Sequence, residues 1–203
     1  MYIPNGFRFE SETDKIAFMK QYSFATIITS NNHIPVATQL PFVVNDLPDK
    51  LTLTAHFALA NEQHKLIENN TSLVIFTEPH AYISPSHYDK KESVPTWDYI
   101  AVHAYGKAKI LTSDEDKTKV LEQMIRFYEK DYMEQWNTLT DKFKTGMMRG
   151  IVAFELEVTE LQGQQKLSQN KTVTERERII QQLEKSDHSV EKDLAGYIKN
   201  TLE

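Results

Sequence analysis

The alternation of apolar and polar positions changes period several times along this chain, and each change marks an element. A helix is expected from Ser11, with Asp14 three residues on as an acidic partner for its first amides and Ile16, Met19 and Tyr22 turned inward. Phe24 to Thr29, Ile34 to Val44, Leu51 to His56 and Ser72 to Thr77 read as strands. They are short, rich in β-branched residues, and bounded by Asn31-Asn32 and by Asn45-Asp46 with Pro48-Asp49. In the third of them Leu51, Leu53 and Ala55 alternate with Thr52, Thr54 and His56, which predicts one apolar and one polar face.

Between the third and fourth strands, Ala60 to Asn70 reads as a helix with Asn61 as its N-cap and Leu66 and Ile67 inward. Tyr99 to Leu111 returns to the strand period, with Ile100, Val102 and Ala104 on one face and Tyr99, Ala101, His103 and Tyr105 on the other. A helix follows from Ser113, carrying Val120, Leu121, Met124, Ile125 and Tyr128 behind the acidic turn Asp114, Glu115 and Asp116. Gly150 to Glu160 is the last strand. Thr174 with Glu177 makes a capping box ahead of Ile179, Ile180 and Leu183, and Val190, Leu194 and Ile198 form a second helical stripe. Six or more short strands, mostly hairpin-linked and flanked by peripheral helices, define a mainly β, α+β chain and favour an antiparallel barrel over a doubly wound sheet. The change of composition after Gly163 divides it into a barrel domain, 1–162, and a C-terminal segment of helices packed on the barrel, 163–203.

At 203 residues, with 40% hydrophobic and 26% charged positions, the chain is long enough for a real core. It has no cysteine, which removes disulfides, thiolate metal sites and cysteine nucleophiles together. The start Met-Tyr-Ile-Pro-Asn-Gly lacks a basic and an apolar leader region, and no apolar run approaches spanning length, so a cytoplasmic protein with no membrane partner is expected. The formal net charge of −6 repels a phosphate backbone, so nucleic-acid binding would need a local basic patch. Lys107 with Lys109, Lys142 with Lys144, and the Lys166 to Arg178 stretch diluted by Glu175 and Glu177 are the candidates.

The chemistry concentrates in residues 79–106, where aromatic, imidazole and hydroxyl groups crowd together in the manner of a wall for a planar polar ligand. Trp97, Tyr99, His103 and Tyr105 share one strand parity, which suits a ligand wall or an interface equally. His80 and His87 bracket a Tyr-Ile-Ser-Pro-Ser turn. No histidine pair has the spacing of a zinc hydrolase, no Gly-x-Ser-x-Gly elbow supports a hydrolytic triad, and no glycine-rich phosphate loop is present, so no metal is expected. A helix capped by Asn61 leaves first-turn amides free, with Lys65 one turn further on the same face. That arrangement holds phosphate, and it is also what an ordinary capped helix with a solvated lysine looks like.

Longer ordered motifs carry a resemblance. Met1-Tyr2-Ile3-Pro4, Phe24-Ala25-Thr26, Leu40-Pro41, Ala60-Asn61, Pro79 to Ser86, Val94 to Tyr99 with Ala101-Val102-His103, and Lys166-Leu167-Ser168-Gln169-Asn170 resemble the PaiB family over essentially the whole chain. The resemblance implies a six-stranded antiparallel split β-barrel of the FMN-binding type, homodimeric, with flavin in clefts between subunits. It implies Lys65 as the grip on the flavin phosphate, with Asn61 at the start of its helix, Thr38 and His56 along the same cleft, and Trp97, Tyr99 and His103 closing it towards the flavin of the partner subunit. Asp98 stands where an asparagine is common, and Lys171 where arginine is frequent. The function implied is negative transcriptional regulation of sporulation and degradative-enzyme genes, exerted on promoter DNA directly or through another regulator. The acidic charge and the lack of a helix-turn-helix signature point to an indirect route. The alternatives are an FMN-dependent oxidoreductase acting on a small molecule and, by fold analogy, a heme-binding split barrel with His56, His80 or His103 on the iron.

Overall fold

In the computed structural model, residues 1–202 are described, and they contain seven strands and six α-helices. In chain order these are α1 (Glu12–Gln21), β1 (Phe24–Asn31), β2 (Ile34–Pro41), β3 (Val43–Leu47), β4 (Lys50–Ala58), β5 (Thr71–Ile83), β6 (Thr96–Leu111), α2 (Asp114–Tyr128), α3 (Tyr132–Thr138), α4 (Asp141–Met148), β7 (Ile151–Lys166), α5 (Val173–Glu184) and α6 (Ser189–Asn200). The strands form one sheet in the order β2-β1-β5-β6-β7-β4-β3. The two edge strands, β2 and β3, are separated by Phe42 alone. A single residue cannot span an open sheet, so its edges are held together and it curls into a split barrel, which shields edges that would otherwise be free to pair with other chains.

The sequence pattern treats Ile34 to Val44 as one strand, and this accounts for seven strands where six are expected. The break at Phe42 arises because its ring turns fully into the core, 6.0 Å from the Phe76 centroid and 6.2 Å from that of Phe154. Before the break, β2 pairs with β1 from Phe24↔Pro41 to Asn31↔Ile34. After it, β3 pairs with β4 from Val43↔Thr54 to Leu47↔Lys50. Asn32 and His33 make the β1–β2 turn with positive φ, the conformation a primed hairpin turn requires.

By their contacts the residues form two compact units: 16–76 with 103–161, and 1–15 with 77–102 and 162–203. The first holds β1 to β4 whole and parts of β5, β6 and β7, with Phe57 stacked on Phe154 at 5.0 Å in its core. Gly106 lies so close to the Glu157 carbonyl oxygen that a β-carbon there would overlap it. The face of β4 expected to be polar is buried at Thr52 and Thr54, where the Asn45 amide donates to the Thr54 hydroxyl at 3.0 Å. α3 and α4 have no counterpart in the sequence reading; both are short, with few buried positions to reveal a period.

In the second unit β5 runs to Ile83, so His80 lies in a strand and the turn is confined to Pro85–His87. The capping box falls two residues earlier than expected, on Thr172 and Glu175. Glu175 is chosen over Glu177 because it is buried and its Oε1 accepts from the backbone amide of Asp89 at 2.9 Å. Arg178 adds a 2.6 Å ion pair to Asp89 and a 3.0 Å bond to the His87 carbonyl, so α5 clamps the segment after β5.

Candidate functional site

The expected helix after β4 is a four-residue 3-10 turn, Glu62–Lys65. Asn61 caps it as anticipated, but its Oδ1 is satisfied by the Gln63 amide at 3.0 Å. The run of free helical amides inferred from the sequence is therefore absent. The turn stops short because the Gln63 side chain plunges into the barrel, where its Nε2 faces the carbonyls of Ile27 and Val36 and the Thr29 hydroxyl, each at 3.2 Å. Its Oε1 accepts from Thr38 at 2.6 Å, and Asn61 Nδ2 donates to the same Thr38 oxygen at 2.9 Å. Thr38 and Asn61, assigned to one cleft on sequence, are thus brought together, and a residue not singled out there joins them.

Lys65 ends the same turn with a 58% exposed side chain whose ammonium sits 2.7 Å from Glu62. That ammonium holds the Glu62 carboxyl below the usual carboxylate range. A pair this open contributes little and exchanges readily for a more highly charged partner. His56 on β4 and His103 on β6 are not part of the Thr38–Asn61–Gln63 network. Each is half-buried with its Nδ1 shielded and unpartnered, and burial pushes both imidazoles below the usual histidine range. They are neutral hydrogen-bonding groups at neutral pH, suited to a polar ring system rather than to an anion.

Trp97 and Tyr99 belong to the other compact unit. Trp97 is 54% exposed and forms an aromatic cluster with His80 at 6.1 Å and Tyr82 at 6.0 Å. Behind it, Asp98 is fully buried and takes a 2.5 Å hydrogen bond from Ser168, while Lys166 lies 3.5 Å from its other oxygen. Lys166 also donates to the Thr96 hydroxyl and to the Trp97 carbonyl. The Lys-Leu-Ser-Gln-Asn motif therefore works as the partner of β6, which sequence spacing alone does not disclose. Among the described residues no cluster of metal-ligating side chains occurs, and no helix is long and apolar enough to cross a membrane.

A seven-stranded antiparallel sheet whose two edge strands follow one another in the chain, joined by Phe42 alone, places the chain in the class of split-barrel proteins. Residues 1–160 match a family model described as "Putative FMN-binding domain". The chain is 38% identical to the protease synthase and sporulation protein PAI 2 of Bacillus subtilis over 205 aligned positions, covering 100% of this chain and 98% of that one. It belongs to the FMN-binding domain family and, within it, to the PaiB proteins. A protein of Saccharomyces cerevisiae is 32% identical over 56% of this chain and 70% of its own. The fold is shared with the flavocytochrome Anf3 of Azotobacter vinelandii at TM-score 0.61 and 13% identity, over 77% of this chain and 67% of that one. It is shared likewise with an FAD and heme binding protein of Mycobacterium smegmatis at 0.61 and 12%, over 77% and 71%.

Proposed function

We propose that this protein binds FMN and acts as a PaiB-type regulator, with Lys65 holding the flavin phosphate and Thr38, Asn61, His56 and His103 contributing the polar wall of the cleft. The observation that carries the reading is Lys65 itself: within the residues that match the FMN-binding family, it is an exposed cation held only by an open pair, in the turn beside the Thr38–Asn61 corner. The orphaned nitrogens of His56 and His103 fit the same group, since a flavin ring offers donors and acceptors to neutral imidazoles. Bound FMN supplies one- or two-electron redox chemistry. The chain contributes position and polarity: Gln63 fixes Thr38 and Asn61, and the two histidines meet the ligand uncharged.

The protein works as a homodimer in which the exposed Trp97 and the partly buried Tyr99 reach the flavin of the partner subunit. Its regulatory effect, on protease and sporulation genes by likeness to the Bacillus subtilis relative, runs through another regulator rather than through promoter DNA. The net charge of −6 supports that route. The experiment is a fluorescence titration of the ligand-stripped protein with FMN and riboflavin. Saturable binding that prefers FMN is expected; equal affinity for the two removes the phosphate site, and no binding of either removes the flavin reading.

A further inference from the structure

The Lys65 ammonium donates to both carboxylate oxygens of Glu62, at 2.7 Å and 2.8 Å, although the two side chains are 58% and 79% exposed. A 3-10 turn has three residues per turn, so positions i and i+3 stand one above the other, and Glu62 and Lys65 occupy those positions. The contact therefore forms within the turn itself. Among the described residues, Glu62 is the ion-pair partner of Lys65, while nearby Glu68 is engaged by the backbone amide of Ile110 at 2.9 Å. Lys50 with Glu155 and Lys119 with Glu115 are surface pairs of similar length, but neither includes a residue assigned to a ligand.

If Lys65 receives the flavin phosphate, the Glu62 carboxylate holds the place that the phosphate has to take. Both groups are anions that offer only acceptor oxygens, and a single ammonium cannot serve them fully at once. FMN must separate the pair and then sit beside a freed carboxylate that repels a group of about −1.5 to −2 charge. Riboflavin, which has no phosphate, meets neither obstacle. The competitor is also permanent near neutrality. The Lys65 ammonium holds the Glu62 carboxyl below the usual carboxylate range, so Glu62 stays ionised at every pH where the phosphate, with its second pKa of about 6, is doubly charged.

We propose that Glu62 is an internal competitor for the flavin phosphate, which lowers the preference for FMN over riboflavin and keeps occupancy of the cleft responsive to FMN supply. The inference rests on the assignment of Lys65 to the phosphate. An exposed pair suits the role, because it is weak enough to be displaced and re-forms as the ligand leaves.

The test is a fluorescence titration of the ligand-stripped full chain with FMN and with riboflavin, for the wild type, Glu62→Gln, Lys65→Ala and the double variant. Glutamine keeps the size of glutamate at an exposed position, and thermal unfolding verifies that each variant is folded. Glu62→Gln is expected to bind FMN about three- to tenfold more tightly, the scale of one unit charge acting on a phosphomonoester through screened water, with riboflavin unchanged. In the Lys65→Ala background the gain should shrink, because competition for the ammonium requires the ammonium. Unchanged or weaker FMN binding in Glu62→Gln, beside an FMN-selective loss in Lys65→Ala, overturns the competition and leaves the phosphate assignment standing. An equal gain in both backgrounds overturns it in favour of plain repulsion, and a matching gain for riboflavin overturns it in favour of a contact with the ring. If Lys65→Ala shows no FMN-selective loss, the phosphate assignment falls and the competition falls with it.

Discussion

Ser168 donates a 2.5 Å hydrogen bond to Asp98 across 70 residues of sequence, fixing a buried carboxylate on β6 to the residue two positions after the end of β7. Ser168 reaches it from a positive φ of 55°, a conformation that costs energy in a non-glycine residue and persists only where its surroundings hold it. Burial pushes the Asp98 carboxyl above the usual carboxylate range, against the opposing pull of Ser168 and Lys166.

That shift fixes a sign. The folded protein keeps the Asp98 proton to higher pH than the unfolded chain does, so the stabilisation is complete below the unfolded pKa of about 3.9 and declines as pH rises through the folded one. Asp98→Asn removes the titration while keeping an acceptor for Ser168. The unfolding free energy of the wild type minus that of the variant should fall as pH is raised from about 4 to about 7. Urea unfolding at a series of pH values measures it, and a difference that rises over this window contradicts the assignment.

Glu175 has the opposite sign. Hydrogen bonds from the backbone of Thr172 and Asp89 hold its carboxyl below the usual range, so its contribution is present above the unfolded pKa of about 4.3 and is lost as pH falls through the folded value. Glu175→Gln should therefore narrow its deficit against wild type in acid. Hydrogen exchange at the Asp89 amide should accelerate in the variant, and an unchanged rate would place the clamp on Arg178 alone.

Gln63→Leu leaves the Thr38 hydroxyl and the carbonyls of Ile27 and Val36 short of a partner inside the barrel. A loss of about 1–3 kcal/mol in unfolding free energy is expected, the range for an unsatisfied buried group. Because Gln63 also holds Thr38, flavin affinity should fall in the same variant. Full stability in urea would show that the network is dispensable.

Lys65→Ala should weaken FMN binding at least about tenfold while leaving riboflavin unchanged, as expected for a charge-assisted contact to the phosphate alone. Equal losses for both ligands would relocate the role of Lys65 to the ring or to folding. Lys65→Arg should retain most of the FMN affinity.

Local pattern carried the elements whose periodicity is strong. β1, β4, β6, α2 and both C-terminal helices were legible because each presents a clear face to a core, and Ser11, Asn61 and Ser113 announced their turns through capping chemistry. The resemblance carried by the long motifs added the split barrel and the family, which no periodicity contains.

What the sequence by itself determined is therefore the mainly antiparallel class, the absence of cysteine chemistry, and the segment in which the aromatic groups collect. Tertiary structure decided the rest, because burial and partnership are properties of distant residues. Gln63 turned inward because the barrel offered three acceptors, which cut a helix to a single turn. The capping box moved to Thr172 because Glu175, and not Glu177, could reach the Asp89 amide. Asp98 became a buried, raised carboxylate only when β7 brought Lys166 and Ser168 beside β6, and no spacing along the chain encodes a contact made across 70 residues.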